Sequence, residues 1–308
     1  MTKIVITGAA GLVGQNLIPR LKARGYHIVG IDKHPRNISI LRELHSDIEV
    51  LEADLAVEGA WVEALAGADA LVLNQAQIGG LARDEFIANN VTATENLITG
   101  VRRHHIPYVV HISSSVINSK AVDFYTETKR MQERLVDALQ TPHVVLRPTL
   151  MFGWFDRKHL GWLRRFMDKS PLFPIPGDGL YQRQPLYGGD FASIIASAIE
   201  TRITGTYDIS GRTTISYVAL IHLIKEITKA RARVVHVPFR IFWLLLRLYA
   251  LVDRHPPFTT TQLEALVIPE VFPIIDWPET FNVKETPLRD ALVETFLDTR
   301  YSNITLSF

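Results

Sequence analysis

A tyrosine and a lysine four positions apart are well suited to move a proton. Tyr125 and Lys129 fall in a stretch with helical spacing, where positions i and i+4 share one face. The ammonium group would then lie beside the phenol, where a positive charge stabilises phenolate and lowers a pKa that starts near 10. We expect such a phenol to remove a proton from a substrate hydroxyl while a hydride leaves the same carbon, and to return it in the reverse step.

Hydroxyl groups precede this pair in the chain. Ser113, Ser114 and Ser115 directly follow the apolar run 108–112, and a serine hydroxyl there would orient the same substrate oxygen. Serines also cap the ends of strands, and the spacing of Tyr125 and Lys129 occurs by chance in many helices. The interpretation therefore depends on the other motifs that the chain carries.

A glycine triplet near the start of the chain has the spacing of a phosphate cradle. Gly8, Gly11 and Gly14 stand between a β-branched run and a helical pattern. One glycine permits a tight turn, one lets a pyrophosphate approach the backbone, and one lets the helix pack on the strand. The free N–H groups and the positive end of the helix then face the phosphates. Glycines alone do not exclude an ordinary strand-to-helix turn.

A carboxylate at the end of the next apolar run supports a dinucleotide site. Asp32 comes 18 residues after the third glycine, where an acid accepts hydrogen bonds from both adenosine ribose hydroxyls and repels a 2′-phosphate. Asp32 therefore favours NAD over NADP. Lys33 and Arg36 are either ligands of a 2′-phosphate or solvated loop charges. Asp54, followed by Leu55, stands where a carboxylate meets the adenine amino group or caps a helix.

Short β-branched runs alternate with helix-length segments over the first half of the chain. This rhythm predicts a parallel sheet that is covered by helices on both faces. The predicted strands are 3–7, 28–31, 49–51, 70–73, 108–112 and 143–147.

The composition changes from about Met151 onward. Aromatic residues and prolines gather there in irregular stretches, which is typical of a lobe that covers a substrate. The segments 191–201 and 205–210 are expected to return to the sheet. We predict a dinucleotide-binding domain from residues 1–150 and 186–212, and a substrate-binding lobe from residues 151–185 and 213–308.

The overall composition excludes several classes of function. The 33 Lys and Arg residues balance 32 Asp and Glu residues, so a net charge of +1 offers no general attraction for nucleic acid. The chain has no Cys, which excludes disulfides, thiolate metal sites and cysteine nucleophiles. Its 11 His residues show no metal-ligand spacing, so we expect no metal site. An apolar run directly after the first residues, without a leader pattern, predicts a cytoplasmic protein.

The segment 239–253 is the most apolar of the second half. Arg240, Arg247 and Arg254 recur there at heptad spacing beside a strongly apolar face. The uncharged runs between them are far shorter than the roughly 20 residues that a membrane-spanning helix requires. We expect a helix that packs on the core, and the alternative is an interfacial contact with a membrane or a lipid-linked substrate.

The order of these motifs resembles the extended short-chain dehydrogenase/reductase superfamily, in its branch of NAD-dependent epimerases and dehydratases of nucleotide sugars. The glycine cradle comes first, the serine strand next, and Tyr125 and Lys129 last, and the resemblance runs over nearly the whole chain. It implies a Rossmann-type α/β fold, a doubly wound parallel sheet with a smaller, mostly helical C-terminal substrate lobe. It also implies NAD as cofactor, with NADP less favoured, and a homodimer formed through segments 90–104 and 125–139.

The resemblance assigns roles to individual residues. Tyr125 becomes the acid/base, Lys129 its activator and a ligand of the nicotinamide ribose, and Ser114 the ligand of the substrate oxygen, with Ser115 as its rival. Arg183, in a segment that resembles the family's nucleotide-diphosphate site, becomes a substrate ligand. The cofactor contacts assigned by the motifs and the resemblance together are Gly8, Gly11, Leu12, Val13, Gly14, Asp32, Asp54, Leu55, Asn74, Ala76, Asn90, Ile112, Ser113, Tyr125, Lys129 and Pro148.

The chain departs from the family pattern in three places. The run 74–77 is Asn-Gln-Ala-Gln where many relatives have a turn that begins with His, and Gln184 stands where sugar enzymes often place Asp. Ser114 and Ser115 are followed by Val116, without the carboxylate pair that a 4,6-dehydratase of the family uses to eliminate water, so dehydratase activity is disfavoured.

Three hypotheses about function remain from the sequence. The first is a 4-epimerase of a nucleotide sugar that works through a transient 4-keto intermediate. The second is an NAD(P)H-dependent reductase or dehydrogenase of a keto-sugar or an apolar alcohol. The third is a non-catalytic dinucleotide-binding subunit, which the intact Ser114, Tyr125 and Lys129 disfavour. All three expect a small-molecule ligand and no nucleic acid.

Overall fold

A computed structural model describes residues 2–119, 123–252 and 259–307. Its strands are β1 (Lys3–Thr7), β2 (His27–Asp32), β3 (Glu49–Glu52), β4 (Ala70–Leu73), β5 (Val109–Ile112), β6 (His143–Pro148), β7 (Met151–Phe152), β8 (Leu172–Pro176), β9 (Gln182–Arg183), β10 (Leu186–Tyr187), β11 (Gly205–Ile209), β12 (Ile215–Ser216) and β13 (Arg233–Val237). Its α-helices are α1 (Leu12–Ala23), α2 (Pro35–Leu44), α3 (Arg83–Phe86), α4 (Ala93–Arg103), α5 (Phe124–Asp137), α6 (Leu160–Lys169), α7 (Gly188–Thr201), α8 (Tyr217–Thr228), α9 (Phe239–Val252), α10 (Thr260–Leu266), α11 (Trp277–Phe281) and α12 (Leu288–Leu297). Short 3₁₀ helices cover Ala60–Leu65 and Ser115–Asn118, and a π-helical turn, Ile87–Thr92, joins α3 to α4.

A seven-stranded parallel sheet forms the centre of the fold. Its order is β3-β2-β1-β4-β5-β6-β11. The strand order reverses between β1 and β4, and in such sheets ligands bind outside the carboxyl ends of the strands at this switch point. The Rossmann-type fold class predicted from the sequence is confirmed, and each of the six predicted strands lies within one residue of an observed one at both ends.

The two faces of the sheet bury separate sets of apolar side chains. In β1, Ile4 and Ile6 join the core beneath α1 and α7, whereas Val5 joins the core beneath α4 on the opposite face. All three side chains are 0% exposed. This alternation is the period of two that a strand imposes on its side chains, and helices on both faces turn it into two cores.

The C-terminal lobe is mostly helical, as predicted. Helices α6, α8 and α12 pack around a core of their own with the parallel pair β8 and β13. The segment 301–307 turns back to the sheet domain, where Tyr301 packs on Trp154 and Phe155 with ring centroids 4.5 and 5.6 Å apart. Ser307 and Asn37 of α2 exchange two hydrogen bonds of 2.8 Å each.

Helix α9 differs from its expected packing. The sequence predicted that it packs on the core, but none of its described side chains, at positions 239–249, is buried. An amphipathic pattern predicts that a helix has an apolar face without specifying what covers that face, and this explains the error. The positions of Asp253 and Arg254 lie outside the described residues. In the part of the chain that the structure describes, no helix has the length and apolarity needed to cross a membrane.

Candidate active site

The glycine triplet forms a close turn between β1 and α1. Gly8 has a φ of +60°, and a side chain there would place its Cβ 2.9 Å from the carbonyl oxygen of Asn74. A Cβ on Gly14 would lie 2.4 Å from the carbonyl oxygen of Ala9, so this glycine permits the helix to approach the strand. Gly11 caps α1 without a side-chain bond. The first N–H groups of α1 are therefore available to an anion.

Asp32 is held at the carboxyl end of β2 beside this turn. Its Oδ2 accepts a hydrogen bond from the Ala10 amide at 2.9 Å. Its Oδ1 accepts hydrogen bonds from the amides of Lys33 at 2.8 Å and His34 at 3.0 Å. The side chain is only 6% exposed. The carboxylate is thus fixed in orientation at the place where the sequence predicted a ribose contact.

A cavity of about 270 Å³ opens at this edge of the sheet. A dinucleotide needs three features at such a site: glycines that leave room for its phosphates, free N–H groups at the start of a helix, and a fixed carboxylate. The residues present provide all three, so they fit NAD. Nine of the predicted cofactor contacts form part of its wall, namely Gly8, Gly11, Leu12, Val13, Asp32, Asp54, Leu55, Asn74 and Ala76.

Other predicted cofactor contacts lie away from this wall. Asn90 is fully buried, and its Oδ1 accepts a hydrogen bond from the Gln77 amide at 2.6 Å, while its Nδ2 donates to Thr128 Oγ1 at 2.9 Å. Asn90 therefore ties the loop after β4 to α5 rather than lining the cavity. Asn74 does line the cavity. Its Nδ2 donates a hydrogen bond to the Gly8 carbonyl at 3.0 Å, which stabilises the glycine turn. The run 74–77, which departs from the family pattern, thus contributes directly to the cofactor site.

The sequence reasoning missed one wall of the cavity, formed by residues 155–159, which we call the strap. The buried Asp156 carboxylate accepts hydrogen bonds from the amides of Lys158 and His159 at 3.0 and 2.9 Å, so the turn is firmly held. Lys158 Nζ lies 4.0 Å from the position that a Cβ on Gly79 would take, so its side chain reaches the loop after β4. Burial and the neighbouring Arg157 lower the pKa of Lys158. The basic run 157–159 was the signal available in the sequence.

Lys129 lies in the interior of the protein at the end of β5. It is 1% exposed, and its Nζ donates a hydrogen bond to the carbonyl of Ile112 at 2.8 Å. Burial lowers its pKa to about 7, and the carboxylate of Glu133 opposes this shift. Lys129 thus favours its neutral form more than a solvated lysine does.

The half-buried Tyr125 shares helix α5 with Lys129. Burial raises the pKa of the phenol, a hydrogen bond with the Ser114 side chain lowers it, and Asp123 raises it further. The predicted lowering of this pKa is wrong for the protein alone, because the loss of water outweighs the favourable contacts. The interaction with Ser114 nevertheless brings a serine side chain to the phenol. The catalytic roles assigned to both residues stay predictions.

Ser114 is the hydroxyl that meets the phenol. It caps the 3₁₀ helix Ser115–Asn118, where its Oγ accepts a hydrogen bond from the Val116 amide at 3.4 Å, and Ser115 is the first residue of that helix. Two buried hydroxyls near the ends of β5 and β6, Ser113 Oγ and Thr149 Oγ1, have no hydrogen-bond partner among the described residues. Unpaired buried hydroxyls are costly, so these suit a polar ligand at this edge.

Arg183 is bound within the C-terminal lobe. Its guanidinium donates to the carbonyls of Ile268 at 2.9 Å and of Leu266, and it lies 5.0 Å from the centre of the Tyr181 ring. It is 8% exposed and does not line the cofactor cavity. The guanidinium that was expected to hold substrate phosphates is therefore already engaged in contacts within the protein. Its role as a substrate ligand stays a prediction.

Comparison with known proteins places the chain among enzymes of related chemistry. A family model described as the NAD dependent epimerase/dehydratase family matches residues 4–210. A 3 beta-hydroxysteroid dehydrogenase/Delta 5-->4-isomerase of Mycobacterium tuberculosis is 30% identical over 185 residues, which are 50% of this chain and 48% of that protein. A 2-alkyl-3-oxoalkanoate reductase of Stenotrophomonas maltophilia is 28% identical over 51% of this chain and 53% of that protein. The chain thus spans about half the length of these two relatives.

Other matches extend over more of the chain. The uncharacterized UDP-glucose epimerase YtcB of Bacillus subtilis is 27% identical over 75% of this chain and 83% of that protein. The structure of a UDP-glucose 4-epimerase from Thermotoga maritima has a TM-score of 0.73 at 16% identity and covers 96% of this chain and 97% of its own, a likeness that supports the fold alone. The chain therefore belongs to the NAD dependent epimerase/dehydratase family, which confirms the family, the enzyme class and the NAD dependence expected from its sequence.

Proposed function

We propose that the chain is an NAD-dependent 4-epimerase of a nucleotide sugar, which oxidises a secondary hydroxyl and returns the hydride to the opposite face of the ketone. One observation carries the proposal: the Ser114 side chain interacts with the Tyr125 phenol, and the buried Lys129 of the same helix binds the carbonyl of Ile112 at the end of β5. This cluster follows β5 at the carboxyl edge of the sheet, the edge at which the cofactor cavity opens, although its three residues are not part of the cavity wall.

The Tyr125 phenol oxygen accepts the proton of the substrate hydroxyl and later returns it. Ser114 bonds to the same substrate oxygen and keeps it within reach of the phenol. Bound NAD would accept the hydride from the carbon and give it back. An ammonium group has three donors, and Lys129 uses one on Ile112, so two remain for the phenolate and for a ribose hydroxyl. Asp32 would hold the adenosine ribose.

The raised pKa of Tyr125 affects which protonation state each step of the reaction uses. Because burial raises it, the neutral phenol is the favoured form, which suits the acid that returns a proton to a ketone. Proton removal needs phenolate, and a charged Lys129 stabilises that state. The two groups therefore act as a coupled pair rather than as independent sites.

A nucleotide sugar as substrate is supported by the likeness to the UDP-glucose epimerase relative, which extends over three quarters of the chain. We also propose a homodimer through segments 90–104 and 125–139, which contain α4 and α5, and a cytoplasmic location. Sedimentation of the purified protein tests the dimer.

A reductase is the second candidate, and Arg183 favours it. The guanidinium is already bonded to Ile268 and Leu266, so an ionic contact with a nucleotide diphosphate requires these bonds to be given up. Two relatives, a 3 beta-hydroxysteroid dehydrogenase/isomerase and a 2-alkyl-3-oxoalkanoate reductase, are 30% and 28% identical to this chain, although each match spans about half of it. This candidate is an NAD(P)H-dependent reductase or dehydrogenase of a keto-sugar or an apolar alcohol.

The two candidates differ in how they use the cofactor. We expect the purified protein to interconvert a sugar epimer pair within a panel of UDP-, GDP- and dTDP-sugars without a stoichiometric supply of reduced cofactor. Native mass spectrometry would detect the cofactor and the sugar nucleotide together. Turnover that consumes one NADH or NADPH per product would contradict the epimerase and support the reductase.

The acid/base assignment has its own test. Tyr125→Phe removes the proton carrier but keeps the ring, so we expect turnover to fall to background while the Kd for NAD changes by less than about threefold. Isothermal titration calorimetry checks the Kd, and a sugar epimerisation assay checks turnover. Full activity of this variant would show that another group carries the proton, and lost NAD binding would show a structural defect.

A further inference from the structure

Helix α9 presents an apolar face that the described part of the protein leaves uncovered. None of the side chains at positions 239–249 is buried, although the helix contacts α10 on one side. Large apolar side chains are rarely so exposed together on one element of a monomer. Those exposed by 51–57% are Ile241, Leu244, Leu245 and Leu248.

These side chains share one face. At 100° per residue, Ile241, Leu244 and Leu248 lie within about 60° of one another, and the arc that includes Leu245 spans roughly 100°. Arg240 and Arg247 fall together at one edge of this arc. The helix therefore carries a continuous apolar stripe with a basic border.

The segment around the stripe is positively charged in a protein that is otherwise nearly neutral. Residues 229–252 contain five cations and no Asp or Glu, against a net charge of +1 for the whole chain. The Arg247 guanidinium lies 5.1 Å from the centre of the half-buried Trp243 ring. The cations are Lys229, Arg231, Arg233, Arg240 and Arg247.

This combination distinguishes between the possible occupants of the face. An antiparallel two-fold contact with a second copy would bring the arginine edges of both stripes to the same side of the contact, where the like charges of Arg240 and Arg247 repel. A surface of anionic lipid instead attracts the arginines and accepts the leucines, and aromatic residues suit its interface. We propose that α9 docks the protein on the surface of an anionic membrane, lying along the interface without crossing it.

Flotation with lipid vesicles tests this proposal. We expect the full chain to float with vesicles of phosphatidylcholine mixed with phosphatidylglycerol, to bind less with phosphatidylcholine alone, and to be released by salt. The double variant L244E/L248E, which places charge on the stripe, should lower the partition coefficient at least about tenfold. R240Q/R247Q keeps the stripe and should abolish the preference for anionic vesicles.

Matched variants elsewhere on the surface serve as controls. Leu297→Glu changes a leucine of α12 that is 52% exposed, and K169Q/K284Q removes two charges from exposed positions at the end of α6 and after α11, outside the proposed dimer segments. We expect both to float as the wild type does. Since no side chain changed in α9 is buried, circular dichroism and NAD affinity should stay the same in its variants.

Three outcomes would overturn the proposal. The wild-type protein could stay in the aqueous phase with both kinds of vesicle. L244E/L248E and R240Q/R247Q could float as well as the wild type. Sedimentation without lipid could show an oligomer that L244E/L248E dissociates, together with no flotation, and a second copy would then be the occupant of the face.

Discussion

Burial changes the pKa values of Tyr125 and Lys129 in opposite directions. It raises that of the phenol and lowers that of the ammonium to about 7, so burial shifts both groups toward their uncharged forms in the protein alone. The i and i+4 spacing correctly predicted that they share α5. Spacing carries no information on lost hydration, however, and the bond from Lys129 to Ile112 joins residues 17 positions apart. The sequence therefore predicted the pair but not the electrostatics of its members.

The rival serines can be separated by substitution. Because the Ser114 side chain interacts with the phenol and Ser115 only begins the following 3₁₀ helix, Ser114→Ala should lower kcat by about 10² or more, the usual effect of losing one donor to a reacting oxygen. Ser115→Ala should change kcat by less than about threefold. Steady-state kinetics on the same substrate measures both, and the reverse order of effects would reassign the catalytic hydroxyl.

At the scale of elements, the strands were predictable and the strap was not. Apolar β-branched runs are a local signal, so β1 and β4 were predicted with their observed ends. The strap depends on contacts far away in sequence, since Phe155 packs on Tyr301 and Lys158 reaches the loop after β4. No window of neighbouring residues contains that information. The same limit applies to Arg183, whose partners at 266 and 268 come from another part of the lobe.

The strap places a cation on the wall of the cofactor cavity. Lys158→Met keeps the length of the side chain and removes its charge, so we expect the Kd for NAD to rise about tenfold, or roughly 1.4 kcal/mol, through the lost attraction to cofactor phosphates. Calorimetric titration measures this change. Lys169→Met, at the exposed end of α6, is the control and should leave the Kd unaltered. Unchanged affinity in the Lys158 variant would show that its charge does not act on the cofactor.

At the scale of the whole molecule, the fold class was readable from the sequence while the packing of the lobe surfaces was not. Buried parallel strands leave a dense apolar signal along the chain, as in β5 and β6. Helix α9 shows the opposite case, because the same amphipathic pattern fits a helix on a core and a helix at an interface. Only the three-dimensional arrangement distinguishes them.

One buried histidine links stability to pH. His45, 2% exposed at the end of α2 and stacked near Tyr301, has its pKa lowered to about 4 by burial and by Lys22. The neutral form is thus favoured in the fold, and its stabilising contribution is complete above the unfolded pKa near 6.5 and is lost as the pH falls through about 4. Between pH 7 and 5 this group alone should lower the free energy of unfolding by about 2 kcal/mol.

Urea unfolding of the wild type and of His45→Gln at pH 7 and pH 5 measures that contribution. The variant lacks the titrating ring, so its loss of stability over the same interval should be smaller by about 2 kcal/mol. His27→Gln, at an exposed position of β2, should behave as the wild type does. An equal loss in His45→Gln and the wild type would mean that His45 is not the group responsible.

The contact of segment 301–307 with the sheet domain has a consequence for the making of the protein. Asn37, which lines the cofactor cavity, is bonded to Ser307 across 270 positions, and the strap leans on Tyr301. The glycine turn and Asp32 emerge early from the ribosome. The side of the cavity formed by Asn37 and the strap is assembled only after residue 307 has emerged. Tight binding of the dinucleotide is therefore expected only in chains that already contain the segment 301–307, so that the cofactor distinguishes these chains from shorter ones.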